Sequence, residues 1–309
     1  ETVIKLIDRI RTDVAAGVDN LNAKLIKDAK LTISESLTKL VNLSYTMSMF
    51  PNSMKIAMIK ALHKKNCKED ESNYRPLSIL SVVSKIFERS ATDQLVKYLE
   101  DNRILNLTQH AYRKGHSTQT CLMEVIDYIH KQRDQGKIVG LASLDLSKAF
   151  DSINHTHLLE KLRKLGLNAN AVKWCKSYLE ERKQKTKFKK ITSEEHKVTS
   201  GVPQGSILGP ILFICFTNDM AEIFTDCKVV SYADDTQLIV SGISKKQVKT
   251  KLEELIRTAQ TWYTKNSLMN NASKTEVIII GKNRTKQEIP IYIEVSEDGK
   301  VKKLEPKKT

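Results

Sequence analysis

Apolar residues recur at helical spacing through the first 135 or so positions. Val3, Ile4, Ile7 and Ile10 share one face of segment 1–11. Gly17, Asp19 and Asn20 then mark a turn-rich break. The pattern resumes from about Ala23 to Met49 and stops before Pro51, because the residue ahead of a proline is driven out of the helical region. Lys64 to Asn73 is polar and charged and reads as an exposed loop. Helical spacing returns over Val82 to Leu99 and again over Thr118 to Asp134.

The pattern changes at Ile138. Residues 138–144 form a short apolar run that ends on Asp145, as a buried strand would. Helices are expected over Ser152–Leu165 and Ala169–Glu181, a hairpin over Lys183–Lys190 and Glu195–Thr199, and an apolar helix over Ile207–Phe224. Lys228–Ala233 and Thr236–Val240 read as strands around a tight turn, followed by a helix over Lys245–Leu268 and a strand over Glu276–Ile280. The fold class is therefore α+β, with a helical first part and then a split βαβ sheet packed on one side by helices. The Lys-rich end, Lys300–Thr309, is expected to be frayed.

Composition narrows the partners. The chain has 309 residues and a formal net charge of +15, which points to a polyanion, either nucleic acid or an acidic membrane. No apolar run approaches the roughly 18 residues needed, so no helix spans a bilayer, and no membrane is expected among the partners. The N-terminal segment is charged and amphipathic, unlike a signal peptide. The five cysteines, Cys67, Cys121, Cys175, Cys215 and Cys227, contain no C-x-x-C pair. That argues against a disulfide framework or a zinc knuckle and for a reducing compartment. The start at Glu1 suggests a piece of a longer protein.

Candidate chemistry gathers on three acids. Asp234 and Asp235 sit at the turn between two apolar strands, in Tyr232-Ala233-Asp234-Asp235. Alone, the pair reads equally as ordinary turn chemistry, since Asp favours turns. Asp145, at the end of its own buried strand, supplies a third carboxylate. Phosphoryl transfer between nucleotides uses two Mg2+ ions about 3.5–4 Å apart, held by oxygen ligands. Asp145 and Asp234 could hold both, with Asp235 close by. Asp151 reads instead as a cap for the helix that starts near Ser152.

These residues carry a resemblance. Asp145–Asp151 and Tyr232–Asp235 resemble motifs A and C of reverse transcriptases, and Ser200-Gly201-Val202-Pro203-Gln204-Gly205-Ser206-Ile207-Leu208-Gly209-Pro210 between them resembles motif B. Asn73–Ser78 and Gln109–Thr118 are similar to two fingers motifs, with Ala111 and Tyr112 where glycine and phenylalanine are usual. Gly17-Val18-Asp19 resembles the N-terminal extension of non-LTR enzymes, and Trp262–Leu268 with Lys274-Thr275-Glu276 resembles motif D. The likeness runs from about Ala15 to Gly281 and is nearest the jockey-type group of non-LTR (LINE-like) retrotransposons.

The resemblance implies a right-hand polymerase with helical fingers and a ferredoxin-like palm, the thumb missing. Residues 1–137 would be the N-terminal extension and fingers, 138–288 the palm, and 289–309 a truncated start of the primer-grip region. The implied activity is RNA-directed DNA synthesis with an RNA template, a DNA primer and dNTP. Two Mg2+ ions, or Mn2+ in their place, would be bound by Asp145, Asp234 and Asp235. Phe150 would be the steric gate against a 2′-hydroxyl, although its position alone reads as readily as core. Gln204 and Gly205 would contact the nucleotide and template. Arg75 and Arg113 are candidates for the triphosphate, the alternative being surface charge. Lys274 would protonate pyrophosphate, the alternative being a surface lysine. Lys64, Lys65 and Lys68 form a basic loop, and Arg182–Lys190 reads either as a nucleic-acid contact or as a plain hairpin. The family implies nuclear and cytoplasmic localisation, and the endonuclease and thumb regions of a parent polyprotein as partners. Two rivals stay open: an RNA-dependent RNA polymerase and a catalytically inactive nucleic-acid-binding remnant.

Overall fold

The computed structural model describes residues 2–64, 67–189, 191–271, 274–281, 293–297, 300–304 and 306. Along the chain, helices α1 (Thr2–Asp8), α2 (Ala23–Asp28) and α3 (Lys30–Thr46) precede strands β1 (Ile56–His63) and β2 (Tyr74–Ile79). Helices α4 (Val82–Asp101) and α5 (Thr118–Asp134) lead to strands β3 (Ile138–Leu144) and β4 (Leu146–Ser147). Helices α6 (His155–Lys164) and α7 (Ala169–Leu179) come next, then strands β5 (Lys183–Phe188), β6 (Ile191–Thr192) and β7 (His196–Lys197). After helix α8 (Gly209–Thr217), strands β8 (Lys228–Tyr232) and β9 (Asp235–Gly242) flank the acidic turn. Helix α9 (Lys245–Lys265) and strands β10 (Met269–Asn270), β11 (Glu276–Ile280), β12 (Ile293–Glu297) and β13 (Lys300–Leu304) close the series.

Most expected elements form, with four corrections. The helix expected over 23–49 is two, divided at Ala29. Helix α6 begins at His155 and is capped by Asn154, whose side chain accepts the N–H of His157, so the cap expected of Asp151 comes from a later residue. The apolar helix ends at Thr217 and continues as a 3-10 segment to Ile223. Lys300–Leu304, expected to fray, pairs with Ile293–Glu297 as a hairpin. Of residues 289–309, expected as a truncated start of the primer-grip region, 289–292, 298–299, 305 and 307–309 lie outside the described residues.

The chain divides into two compact units, residues 1–104 with 153–216, and 105–152 with 217–309. The first unit holds a sheet in the order β2-β1-β5-β6, with β7 also on β5. Strand β1 pairs antiparallel with β2 and parallel with β5, Ile56 lying opposite Lys183. Val3, Leu6 and Ile7 of α1 pack with Ile26, Leu37, Val82 and Ile86. Phe50 makes edge contacts with Phe87, Trp174 and Tyr178. A Cβ on Gly17 would stand 2.6 Å from the Ser81 nitrogen, and Asp19 accepts the Ser81 hydroxyl, which accounts for the Gly17-Val18-Asp19 sequence.

The second unit holds an antiparallel sheet in the order β11-β3-β9-β8. Its first strand in sequence thus lies between the third and the fourth, the order of a split βαβ (ferredoxin-like) sheet. Helices cover both faces, not one. Cys121 and Val125 of α5 pack on Val139, Leu141, Val230 and Ile239. On the opposite face α9 lies so close that a Cβ on Gly140 would meet Val248 Cγ1 at 2.4 Å. The reason is in the sequence of β3: six of its seven residues are buried, and a strand apolar on both faces needs cover on both. Each fully buried branched side chain contributes about 1.5–3 kcal/mol, which fixes the register that carries the acids.

Candidate active site

The acids belong to the second unit and are placed by strand register. β3 pairs with β9 up to Leu144 opposite Thr236, so the next residue, Asp145, falls at the level of Asp235. Strands β8 and β9 close through Tyr232 opposite Asp235, leaving Ala233 and Asp234 as the two-residue turn. The expected strand–turn–strand is present, with a positive φ of 55° on Ala233. The three carboxylates feel one another. Partial burial pushes the Asp235 carboxyl above the usual range, the charges of Asp234 and Asp145 push it further, and Lys274 opposes them. Among the described residues no three His, Cys, Asp or Glu side chains are already gathered tightly enough to enclose an ion. The donor set is nonetheless all oxygen and mutually repulsive, which suits a hard divalent cation.

Lys274 reaches this cluster directly. Its Nζ lies 3.0 Å from Asp145 Oδ2, although the lysine side chain is 64% exposed and the aspartate 22%. The segment before it is tied to the same place: β10 pairs with β4, and the N–H of Asn271 donates to the Asp145 carbonyl at 2.9 Å. Phe150 lies in the turn after β4, where Lys148 has a φ of 49° and its carbonyl accepts from Asp151 and Ser152.

Gln109 opens the second fingers motif, but its role at the acidic turn was not read from the sequence. It is 7% exposed, and its amide oxygen accepts the N–H of Ala233 at 3.0 Å and of Ala111 at 2.8 Å. Its amide nitrogen donates to the Ala233 carbonyl at 3.3 Å. The flanking backbone adds an edge to β8, with His110 N–H on the Ser231 carbonyl and Ser231 N–H on that of Thr108. Tyr112 also belongs here, its phenol pushed up by burial and by Asp234. Arg113 directs Nη1 to the carbonyls of Asn106 (2.9 Å) and Gln109 (3.3 Å), so it braces this loop.

The remaining expected residues lie in the first unit. Arg75 is exposed on β2, opposite Leu62. Gln204 and Gly205 sit in the loop before α8, whose carbonyl at Gln204 accepts the Ser78 N–H at 2.7 Å. Gly205 has a φ of +111°, and a Cβ there would stand 2.8 Å from the Ser78 carbonyl oxygen. The close approach that calls for this glycine is therefore to strand β2. Upstream, the Gly201 N–H donates to the Ile153 carbonyl, and His155 Nε2 donates to the Gly201 carbonyl at 2.7 Å.

The basic segments divide. Lys64 and Lys68 are exposed, while Lys65 lies outside the described residues. Arg182 is 2% exposed and packs on Tyr178 and Phe50, so it does not belong to a surface run. Lys183 and Lys185 are both paired with Glu195. The five cysteines are free, and no described helix is long and apolar enough to cross a membrane.

Residues 62–302 match the family model described as reverse transcriptase (RNA-dependent DNA polymerase). The chain is 30% identical over 283 residues to the Drosophila melanogaster protein named "Probable RNA-directed DNA polymerase from transposon BS", covering 89% of this chain and 31% of that one. It is 29% identical to the RNA-directed DNA polymerase from the mobile element jockey of the same fly, covering 92% of this chain and 32% of that one. The chain thus spans about a third of the length of these relatives. Among solved structures it resembles apo telomerase from Candida tropicalis truncated from its C-terminal domain, with a TM-score of 0.58 and 15% identity over 88% of this chain and 60% of that one. That likeness speaks to the fold alone.

Proposed function

We propose, given that this chain belongs to the reverse transcriptase (RNA-dependent DNA polymerase) family and to its jockey-type non-LTR branch, that it extends a DNA primer on an RNA template with dNTP. The observation that carries the reading is the register that sets Asp145 at the level of Asp235 beside the turn of Asp234. The mutual repulsion felt at Asp235 supports a site that gains from binding divalent cations.

Asp145 and Asp234, with Asp235 beside them, would hold two Mg2+ ions, or Mn2+ in their place. When bound, such ions lower the pKa of the primer 3′-hydroxyl and offset the charge of the leaving pyrophosphate. The chain's own residues position and discriminate, as expected of phosphoryl transfer. Phe150 stands under the sugar and clashes with a 2′-hydroxyl. Arg75 binds triphosphate oxygens, and Gln204 and Gly205 face the base pair being formed. Lys274 leaves Asp145 and delivers its proton to pyrophosphate. Arg113 supports the loop that holds Gln109 and does not need to touch phosphate to matter.

In this reading residues 1–137 serve as N-terminal extension and fingers, 138–288 as palm, and 289–309 as the start of the primer-grip region of a right-hand polymerase. The RNA template, DNA primer and further regions of a longer polyprotein are its partners, and it acts in the nucleus after synthesis in the cytoplasm. The test is Mg2+-dependent extension of a DNA primer on an RNA template, with dNTP and rNTP compared. Extension with dNTP, turning to rNTP by at least about tenfold in Phe150→Ala, is expected. Preference of the parent for rNTP would overturn it in favour of an RNA polymerase. Template–primer binding without extension would favour an inactive remnant.

A further inference from the structure

The loop that opens α8 is held by a carboxylate from α4. Glu88 is fully buried. One of its oxygens accepts the Ile207 N–H at 2.7 Å and the other accepts the Ser84 hydroxyl at 3.1 Å. The N–H of Leu208 also reaches this carboxylate. Burial pushes the Glu88 carboxyl up, while Arg182 and the two N–H groups pull it down. Arg182, equally buried, donates to the Tyr178 carbonyl at 2.9 Å and lies over the Tyr178 and Phe50 rings.

Stability alone does not explain the arrangement. A buried acid and base can often be replaced by apolar residues of like volume without loss of stability. What an apolar residue cannot supply is an acceptor for the N–H groups of Ile207 and Leu208. The rest of the loop is already committed. The Pro203 carbonyl accepts from the Ser206 N–H and hydroxyl, the Ser206 hydroxyl oxygen accepts from Gly209, and the Gln204 carbonyl accepts from Ser78. Residues 204–209 are therefore suspended between Ser78 at one end and Glu88 at the other.

We propose that Glu88 is a positioning residue, which fixes Ser206–Leu208 at the entry to α8 and thereby sets Gln204 and Gly205 for the incoming nucleotide. The proposal rests on the reading of Gln204 and Gly205 given above.

The test is the double variant Glu88→Leu/Arg182→Met in the full chain, which removes the buried charges and keeps the volume. The expected result is a folded variant with a lowered thermal midpoint, because the Ile207 and Leu208 N–H groups lose their acceptor, with hydrogen-exchange protection lost at Ile207 and Leu208 and kept through α4. In primer extension the dNTP KM rises about tenfold, while kcat and template–primer affinity move less than about threefold. Glu88→Gln, which keeps shape and one acceptor, gives the same direction at smaller size and serves if the double variant does not fold. Retained protection at Ile207 and Leu208, or a parental dNTP KM in a folded variant, would overturn the proposal. The exchange readout does not depend on polymerisation, so an inactive parent would count against the activity and not against the anchoring.

Discussion

The side-chain amide of Gln109 takes both main-chain polar groups of Ala233, accepting its N–H at 3.0 Å and donating to its carbonyl at 3.3 Å. Ala233 is held at a φ of 55°, where a non-glycine residue costs about 1–2 kcal/mol, and the next residue is Asp234. The amide therefore stabilises the backbone conformation that presents the acids.

Gln109→Ala leaves the N–H groups of Ala233 and Ala111 without their buried acceptor. A loss of about 1–3 kcal/mol in stability is expected. Displacement of the turn by an ångström would lower primer extension by about 10²-fold and raise the Mg2+ concentration needed for half-maximal rate. Denaturant unfolding and a Mg2+ titration of extension check the two effects separately. An unchanged Mg2+ midpoint would remove Gln109 from the site.

Lys274 pairs with Asp145 at 3.0 Å, but the lysine is 64% exposed. An exposed pair contributes only about 0–1 kcal/mol, so Lys274→Met is expected to unfold at nearly the parent's denaturant midpoint. A proton delivered from this position is worth more, and kcat is expected to fall about 10²-fold. A kcat equal to the parent's would return Lys274 to a surface ion pair.

Asp235 gives a pH dependence of defined sign. Its pKa is raised on folding by burial, Asp234 and Asp145, with Lys274 opposing. The folded chain thus holds this proton more tightly than the unfolded chain. The resulting stability is full below the unfolded carboxylate value and is lost as pH rises through the higher folded value. In metal-free buffer Asp235→Asn is expected to flatten this decline, seen as the difference between the two unfolding curves across the acid range. Parallel curves would mean that the three acids do not interact as described.

Gly205→Ala places a Cβ 2.8 Å from the Ser78 carbonyl oxygen at a φ of +111°. A cost of about 1–3 kcal/mol is expected from the backbone alone, together with a higher dNTP KM as the loop leaves β2. Thermal unfolding and steady-state kinetics measure both, and a fully stable variant would contradict the close approach.

The sequence pattern carried the second unit further than the first. Ile138–Leu144 and the strands around Asp234 are continuous apolar runs, so their type and the placing of the three acids were legible. Strands β1 and β2 were not, because Lys60, Arg75 and Pro76 interrupt their alternation and β1 pairs with β5 far along the chain. The unbroken apolar run of β3 calls for cover on both faces, which the expected one-sided packing did not include. Gln109 and Glu88 act on main-chain groups, and such contacts leave no spacing rule in a sequence. The available hint for Glu88 was an acid on the same stripe of α4 as Ser84, Thr92, Leu95 and Leu99, all of which are buried. Arg182 looked like the start of a basic run because charge alone does not reveal that one member turns inward.

In the proposed reaction Asp145 and Asp234 bind the divalent ions that drive nucleotide transfer. The most direct measurement is Mg2+-dependent extension of a DNA primer on an RNA template by the parent, Asp145→Asn and Asp234→Asn, with template–primer affinity measured alongside. A loss of about 10³-fold or more in rate is expected for each variant at unchanged template–primer affinity. Extension by Asp234→Asn at the parent's rate would contradict it.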